Sequence, residues 1–321
     1  MTHTPTDTAA RTTAGIASVS LAKPLEDIAD QLGNSFAEFG FAIVRDHGIP
    51  QELIAKAEAA SKAFFALPDE VKRAYKIEGG GGARGYTPFG TEKAKDAQIF
   101  DLKEFWHIGR SLDAGHPLAE YMAPNVWPEE VEGFRETFSE LYAAFEHAGG
   151  RVLEAIALHL GLDRNFFDPT IEDGNSVMRL LHYPPLGEDA PEGAIRAAAH
   201  GDINTITLLL GAEEAGLELL SKSGEWLAVD VPEGALVINV GDMLERLTGG
   251  ALRSTTHRVV NPSGEAARRS RYSMPFFLHF RPDYLIEPLP SCAPAGDVEV
   301  DLAPITAHDF LQQRLREINL A

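Results

Sequence analysis

From Asn175 to about Phe280 the chain is cut into short apolar segments by turn residues, and that rhythm excludes most architectures. Ser176–Tyr183, Ile203–Leu210, Leu217–Leu220, Trp226–Val231, Ala235–Val240, Leu252–Val260 and Tyr272–Phe280 are each four to nine residues long. Segments of this length, rich in β-branched and aromatic side chains, read as strands. Seven or eight of them at this spacing predict a β-sandwich or barrel. One short helix, Gly241–Gly249, is inserted among them. Upstream the period changes. Leu25, Ile28, Ala29, Leu32 and Phe36 recur at helical spacing between Pro24 and Gly40, which predicts an amphipathic helix with a start and a stop. A strand over Phe41–Arg45, a helix over Gln51–Leu67, a strand over Asp101–Gly109 and a long helix over Pro128–Leu162, interrupted or bent near Gly149-Gly150, follow. The expected organisation is a loose Thr-rich tail over residues 1–13, a mixed helical region over 14–170, a β-core over 171–290, and a loop and helix (His308–Leu320) within 291–321, all one cooperative unit.

Within the β-rich part, Arg196-Ala-Ala-Ala-His200-Gly-Asp202 leads into Ile203–Leu210. On an extended backbone, residues two apart share a face, so an imidazole and a carboxylate point the same way. A third ligand is needed, and His257, with 54 residues between it and Asp202, leaves the chain room to return. Two His and one carboxylate on one side of an octahedral ion leave three positions open, as non-haem Fe(II) requires when it binds co-substrate and oxygen together. Structural zinc closes with four protein ligands. The single Cys292 excludes an internal disulfide and a Cys-based cluster and suits a reducing cytoplasm. Arg271-Tyr-Ser273 repeats the i, i+2 device with a guanidinium and a hydroxyl, a fork for a carboxylate, and Tyr183, ahead of Pro184-Pro185, adds a phenol. His47, beside Gly48, is read as a turn residue. The glycines at 79–82 lack the strand-to-helix setting of a phosphate loop. A net charge of −20 disfavours nucleic acid and anionic membranes as partners, and there is neither an export signal nor an apolar run of spanning length.

Taken together, these motifs make the chain resemble the Fe(II)/2-oxoglutarate-dependent dioxygenases of the isopenicillin N synthase-like family. The resemblance runs through Phe39-Gly-Phe41, Asp46-His-Gly-Ile49, Arg84-Gly-Tyr86, Leu180-Leu-His-Tyr-Pro-Pro185, Ala199-His-Gly-Asp202, Thr207-Leu-Leu-Leu210, Asn239-Val-Gly-Asp-Met-Leu244, Thr256-His-Arg-Val-Val-Asn-Pro262 and Arg271-Tyr-Ser-Met-Pro-Phe-Phe277. It implies a mostly β fold with flanking helices, a double-stranded β-helix (jelly-roll) core preceded by a helical region. It also implies Fe(II) held by His200, Asp202 and His257, and 2-oxoglutarate anchored by Arg271 and Ser273 with Tyr183 assisting. The resemblance further implies molecular oxygen as the oxidant and hydroxylation or desaturation of a small-molecule substrate. One departure is Leu181, where many plant members carry Asn. The synthase that names the family uses its Arg-x-Ser for the substrate's carboxylate and needs no 2-oxoglutarate. A 2-oxoglutarate-independent oxidase and a non-catalytic metal- or acid-binding module therefore stand as alternatives. Candidates for the substrate pocket are Arg84, Tyr86, Phe89, Lys103, Phe105, His107, Arg196 and His279.

Overall fold

The structure, a computed structural model, describes residues 15–79, 82–92, 100–186, 195–210, 216–292 and 303–317. The expected tail over 1–13 and the end of the helix expected to reach Leu320 lie outside them. Strands are β1 (Ser18–Ser20), β2 (Phe41–Arg45), β3 (Gly85–Thr87), β4 (Glu104–Gly109), β5 (Val177–Tyr183), β6 (Ala197–His200), β7 (Ile206–Leu210), β8 (Leu217–Leu220), β9 (Trp226–Ala228), β10 (Leu236–Val240), β11 (His257–Val259), β12 (Arg271–Ser273), β13 (Pro275–Leu278), β14 (Leu285–Ile286) and β15 (Ile305–Thr306). Helices are α1 (Leu25–Phe39), α2 (Gln51–Phe65), α3 (Asp69–Arg73), α4 (Phe134–His159), α5 (Asp168–Ile171), α6 (Asp242–Leu247) and α7 (Ala307–Glu317).

Two sheets make the jelly roll. The larger runs β1-β2-β10-β7-β13-β5-β4-β3 with β12 also paired to β5, and the smaller runs β6-β11-β8-β9. Strands from before residue 170 are hydrogen-bonded into the larger sheet: β2 lies antiparallel to β10, and β4 to β5. The early part of the chain thus supplies both the covering helices and part of the core sheet.

Strand alternation sorts the larger sheet into two faces. Trp106, Ile108, Met178, Leu180, Ile206, Leu208, Phe276 and Leu278 bury their side chains in the main core with α1, α2 and α4. Phe105, Leu181 and Tyr183 form a separate cluster on the opposite face, and this inner face forms the pocket. Helix α4 continues through Gly149-Gly150 without the expected interruption. Gly149 is there for contact: a Cβ would lie 2.4 Å from Leu278 Cδ1, so the bare backbone lets α4 settle on β7 and β13. No described helix is long and apolar enough to cross a membrane.

Candidate active site

His200 and Asp202 do not lie on one strand as the spacing suggested. His200 ends β6 in the smaller sheet, and Asp202 lies in the connection to β7 in the larger one. The pair straddles the passage between sheets. His257 opens β11 and stands directly opposite His200 in the β6–β11 register, with ring centroids 4.5 Å apart. The Nε2 atoms of His200 and His257 are each 3.9 Å from Asp202 Oδ1, and the three ligand atoms lie within 4.8 Å of one another.

Every atom on the far side of this triad is engaged. His200 Nδ1–H donates to the Ala198 carbonyl at 2.7 Å, and His257 Nδ1–H to the Thr255 carbonyl at 3.1 Å. A carbonyl only accepts, so Nδ1 of each ring carries a proton and Nε2 is the atom turned toward Asp202. Asp202 Oδ2 accepts from Thr207 Oγ1 at 2.5 Å and Asn239 Nδ2 at 2.9 Å, which leaves Oδ1 for a metal. Burial alone would raise the Asp202 carboxyl, but the two imidazoles and these two hydrogen bonds together hold it below its ordinary value. Burial, reinforced by neighbouring His257, pushes His200 down to about 4. A neutral His200 imidazole, an ionised carboxylate and the Nε2 face of His257 make up the donor set of a mononuclear non-haem iron site.

The support extends into α6. Asp242 N–H donates to the Asp202 carbonyl at 2.8 Å. The intervening Gly241 has no space for a side chain, since a Cβ would lie 2.1 Å from the Asn204 carbonyl oxygen. Asp242 is in turn held by Ser254 Oγ at 2.6 Å and by Arg314 of α7 at 3.0 Å.

Arg271 and Ser273 share one face of β12 and are buried. Across the ladder Arg271 pairs with Tyr183 and Ser273 with Leu181, and the Arg271 guanidinium stands 5.4 Å from the centre of the Tyr183 ring. Fully buried Arg196 lies over the same ring at 5.8 Å and donates to the Arg269 carbonyl at 3.3 Å. The structure therefore gathers the expected anion fork and phenol in one place.

The substrate-side candidates divide. Phe105, His107 and His279 share the inner face with Arg179, which the sequence did not single out. Arg179 Nε donates to His107 Nε2 at 2.5 Å, and its guanidinium lies 4.3 Å from the Phe105 ring centre and 5.4 Å from that of Phe277. His107 Nδ1–H donates to the Gly82 carbonyl at 2.6 Å, so the ring is neutral; burial, then Arg179, holds its pKa well below the ordinary value. Lys103 is buried between Glu92 at 2.7 Å and Asp101 at 2.8 Å, and Glu92 also meets Arg179 at 3.3 Å. Arg84 is buried against Gly109.

Two candidates fall outside the pocket. Tyr86 faces the main core and its hydroxyl donates to Glu104, which also binds Lys72 and His182. Phe89 is 43% exposed and packs edge-on to Phe100. His47 is structural: it accepts from Ile49 N–H at 3.2 Å and donates to the Gly234 carbonyl at 3.0 Å.

Residues 16–130 match the family described as the N-terminal region of non-haem dioxygenases in morphine synthesis, and residues 174–280 match the 2OG-Fe(II) oxygenase superfamily. A 2-oxoglutarate-Fe(II) type oxidoreductase, hxnY, from Emericella nidulans is 38% identical, with 89% of this chain and 83% of that protein aligned. The crystal structure of a 2OG-Fe(II) oxygenase family protein from Caulobacter crescentus superposes with a TM-score of 0.87 at 55% identity, covering 94% of this chain and 99% of the other. A full-length Neurospora crassa protein crystallised in complex with alpha-KG superposes with a TM-score of 0.82 at 29% identity, covering 93% of this chain and 95% of the other. The chain belongs to the 2-oxoglutarate-Fe(II) oxygenases. It is an oxidoreductase that uses Fe(II), 2-oxoglutarate and molecular oxygen to oxidise a small molecule.

Proposed function

We propose that His200, Asp202 and His257 hold the Fe(II), that Arg271 and Ser273 with Tyr183 seat the distal carboxylate of 2-oxoglutarate, and that the substrate occupies the pocket floored by Phe105, His107, Arg179, Phe277 and His279. The observation that carries this reading is the triad itself. Three donors converge on one point, and the second polar atom of each is already committed to the protein. Iron bound there supplies a redox-active Lewis acid at which oxygen and 2-oxoglutarate meet, one oxygen atom ending in succinate and the other in a hydroxylated product or, for a desaturation, in water.

The protein's own contribution is placement. Thr207 and Asn239 fix the carboxylate, and Ala198 and Thr255 fix the two rings. Arg271 orients an acid by a charge-assisted fork, and the aromatic floor excludes water from the reacting C–H bond. Succinate formed mole for mole with carbon dioxide, and lost in Asp202→Ala, is the expected result. Oxygen uptake without succinate overturns the reading. We further place the chain in the cytoplasm, with neither nucleic acid nor membrane as partner, on its lone cysteine and its net charge of −20.

A further inference from the structure

On the substrate side of the pocket, Arg84 is treated differently from Arg179 and Lys103. Arg179 and Lys103 are matched by Glu92 and Asp101. Arg84 is only 4% exposed, yet among the described residues its one hydrogen bond runs from Nη1 to the adjacent Ala83 carbonyl at 2.7 Å. Among the described residues its Nε and Nη2 have no partner, and no carboxylate pairs with it. A guanidinium does not escape this by losing its proton, and burial works against its charge. An uncompensated buried cation is costly and is relieved by an anion that reaches it.

The space around Arg84 is shaped to hold it. A Cβ on Gly109 would lie 1.9 Å from Arg84 Cζ, so the guanidinium fills the volume that any other residue at 109 would claim. Gly109 follows Phe105 and His107 on the inner face of β4. Its peptide is clamped at both ends by Asn125, which accepts from Gly109 N–H at 2.8 Å and donates to its carbonyl at 2.7 Å. His279 is the neighbour toward the metal. Burial lowers it to about 4, with Arg84 adding to that effect and Asp202 opposing it, so both charges act on one ring. Its Nδ1–H donates to the Phe277 carbonyl at 3.1 Å, which leaves Nε2 as a lone-pair acceptor.

We propose that Arg84 is the anchor for a negatively charged group on the primary substrate, so that this enzyme oxidises an organic acid whose anionic end lies on Arg84 and whose body lies on the Phe105–Phe277 floor. This rests on the functional reading above, in which the fork at Arg271 is already taken by 2-oxoglutarate. Carboxylate and phosphate share the required chemistry, and Arg84 is a binding residue, not a ligand of the metal.

The test uses the full chain loaded anaerobically with Fe(II) and 2-oxoglutarate, titrated with benzoate, phenylacetate, inorganic phosphate and the neutral isostere benzamide, with binding read by calorimetry and by the visible band of chelated 2-oxoglutarate. At least one anion is expected to bind tenfold or more tightly than benzamide, and that preference to vanish in Arg84→Met and in Gly109→Ala, whose methyl displaces the guanidinium; the preferred anion identifies carboxylate or phosphate as the group. No preference in the wild type, or one that survives both variants, overturns the proposal. So does a loss of 2-oxoglutarate affinity above threefold in Arg84→Met, which would place Arg84 on the co-substrate. Melting of the ligand-free protein separates a structural role: Arg84→Met is expected to melt no lower than wild type, and a fall of several degrees overturns the proposal. If the wild type develops no band and forms no succinate, the metal and co-substrate reading has failed instead, while calorimetry on the metal-free protein still reads the anion site.

Discussion

The two ends of the pocket are built on opposite principles. At the metal end, each ligand's remaining polar atom is bound to a backbone carbonyl or a buried side chain, so the donors are set before any ion arrives. At the Arg84 end Gly109 is likewise pinned, by Asn125, but the charge at the centre has no carboxylate partner among the described residues. Saturation suits a group that stays through every turnover. An open valence suits a molecule that must arrive, react and leave.

The largest effect that sharpens this contrast is at the triad. His200→Ala, Asp202→Ala and His257→Ala are each expected to abolish 2-oxoglutarate-dependent succinate formation and the visible band of the chelated co-substrate; turnover within tenfold of wild type in any of them would remove that residue from the metal. Next is Arg271→Ala. Loss of a charged fork worth about 1.5–3 kcal/mol corresponds to roughly 10- to 150-fold weaker 2-oxoglutarate binding, measured as KM or by titrating the band. An unchanged value would transfer the fork to the substrate. Asn239→Ala leaves Asp202 Oδ2 with Thr207 alone, and a supporting residue of this kind is worth on the order of 10-fold or more in metal affinity, readable by competition with a chelator.

A smaller effect is the pH dependence of the metal-free fold. His107 and His279 stay neutral when buried, His279 down to about 4, while in the unfolded chain each takes up a proton near pH 6.5. Between these limits the unfolded state binds more protons, so stability falls as pH falls. Glu245, raised to about 7 by burial, acts oppositely and loses stability as pH rises from about 4.5 toward 7. With His200 also held near 4 and His47 lowered, the histidines outweigh the raised carboxyls of Glu245, Glu146 and Asp242 and give a lower urea midpoint at pH 5 than at pH 7, a difference that His279→Phe should reduce. A midpoint that does not move between these pH values contradicts the burial assigned to both rings. Smallest of all is Phe89→Ala, expected to change stability and turnover within error because the ring is at the surface. A large loss of turnover would return Phe89 to the pocket.

His200 and Asp202 were legible as a pair because residues two apart on extended backbone share a face, although Asp202 lies beyond the end of β6. The same rule did not reveal that the chain changes sheets between His200 and Asp202, since a sheet change is decided by pairing partners far along the chain. It also failed for Arg84 and Tyr86, which two-residue spacing would place on one face. Gly85 between them has φ +70°, and a Cβ there would lie 2.6 Å from the Tyr75 carbonyl oxygen, so the backbone turns and sends Arg84 inward and Tyr86 into the core. Arg179 was passed over because an isolated arginine in an apolar strand carries no pattern. Its meaning comes from His107 and Glu92, 72 and 87 positions away in sequence. Asn239 and Thr207 were visible as part of a familiar motif, but nothing local says that both end on one carboxylate oxygen.

The ion pair between Arg314 and Asp242 also has a bearing on the order in which the protein is made. All three metal ligands have been synthesised by residue 257, about fifty residues before α7 begins at Ala307. A nascent or clipped chain lacking α7 therefore carries a complete set of donors, yet the α6 turn that holds the Asp202 carbonyl has lost one of its two side-chain supports. Removal of α7 is therefore expected to weaken metal binding without removing a ligand, which competition with a chelator on a chain ending before Ala307 would read.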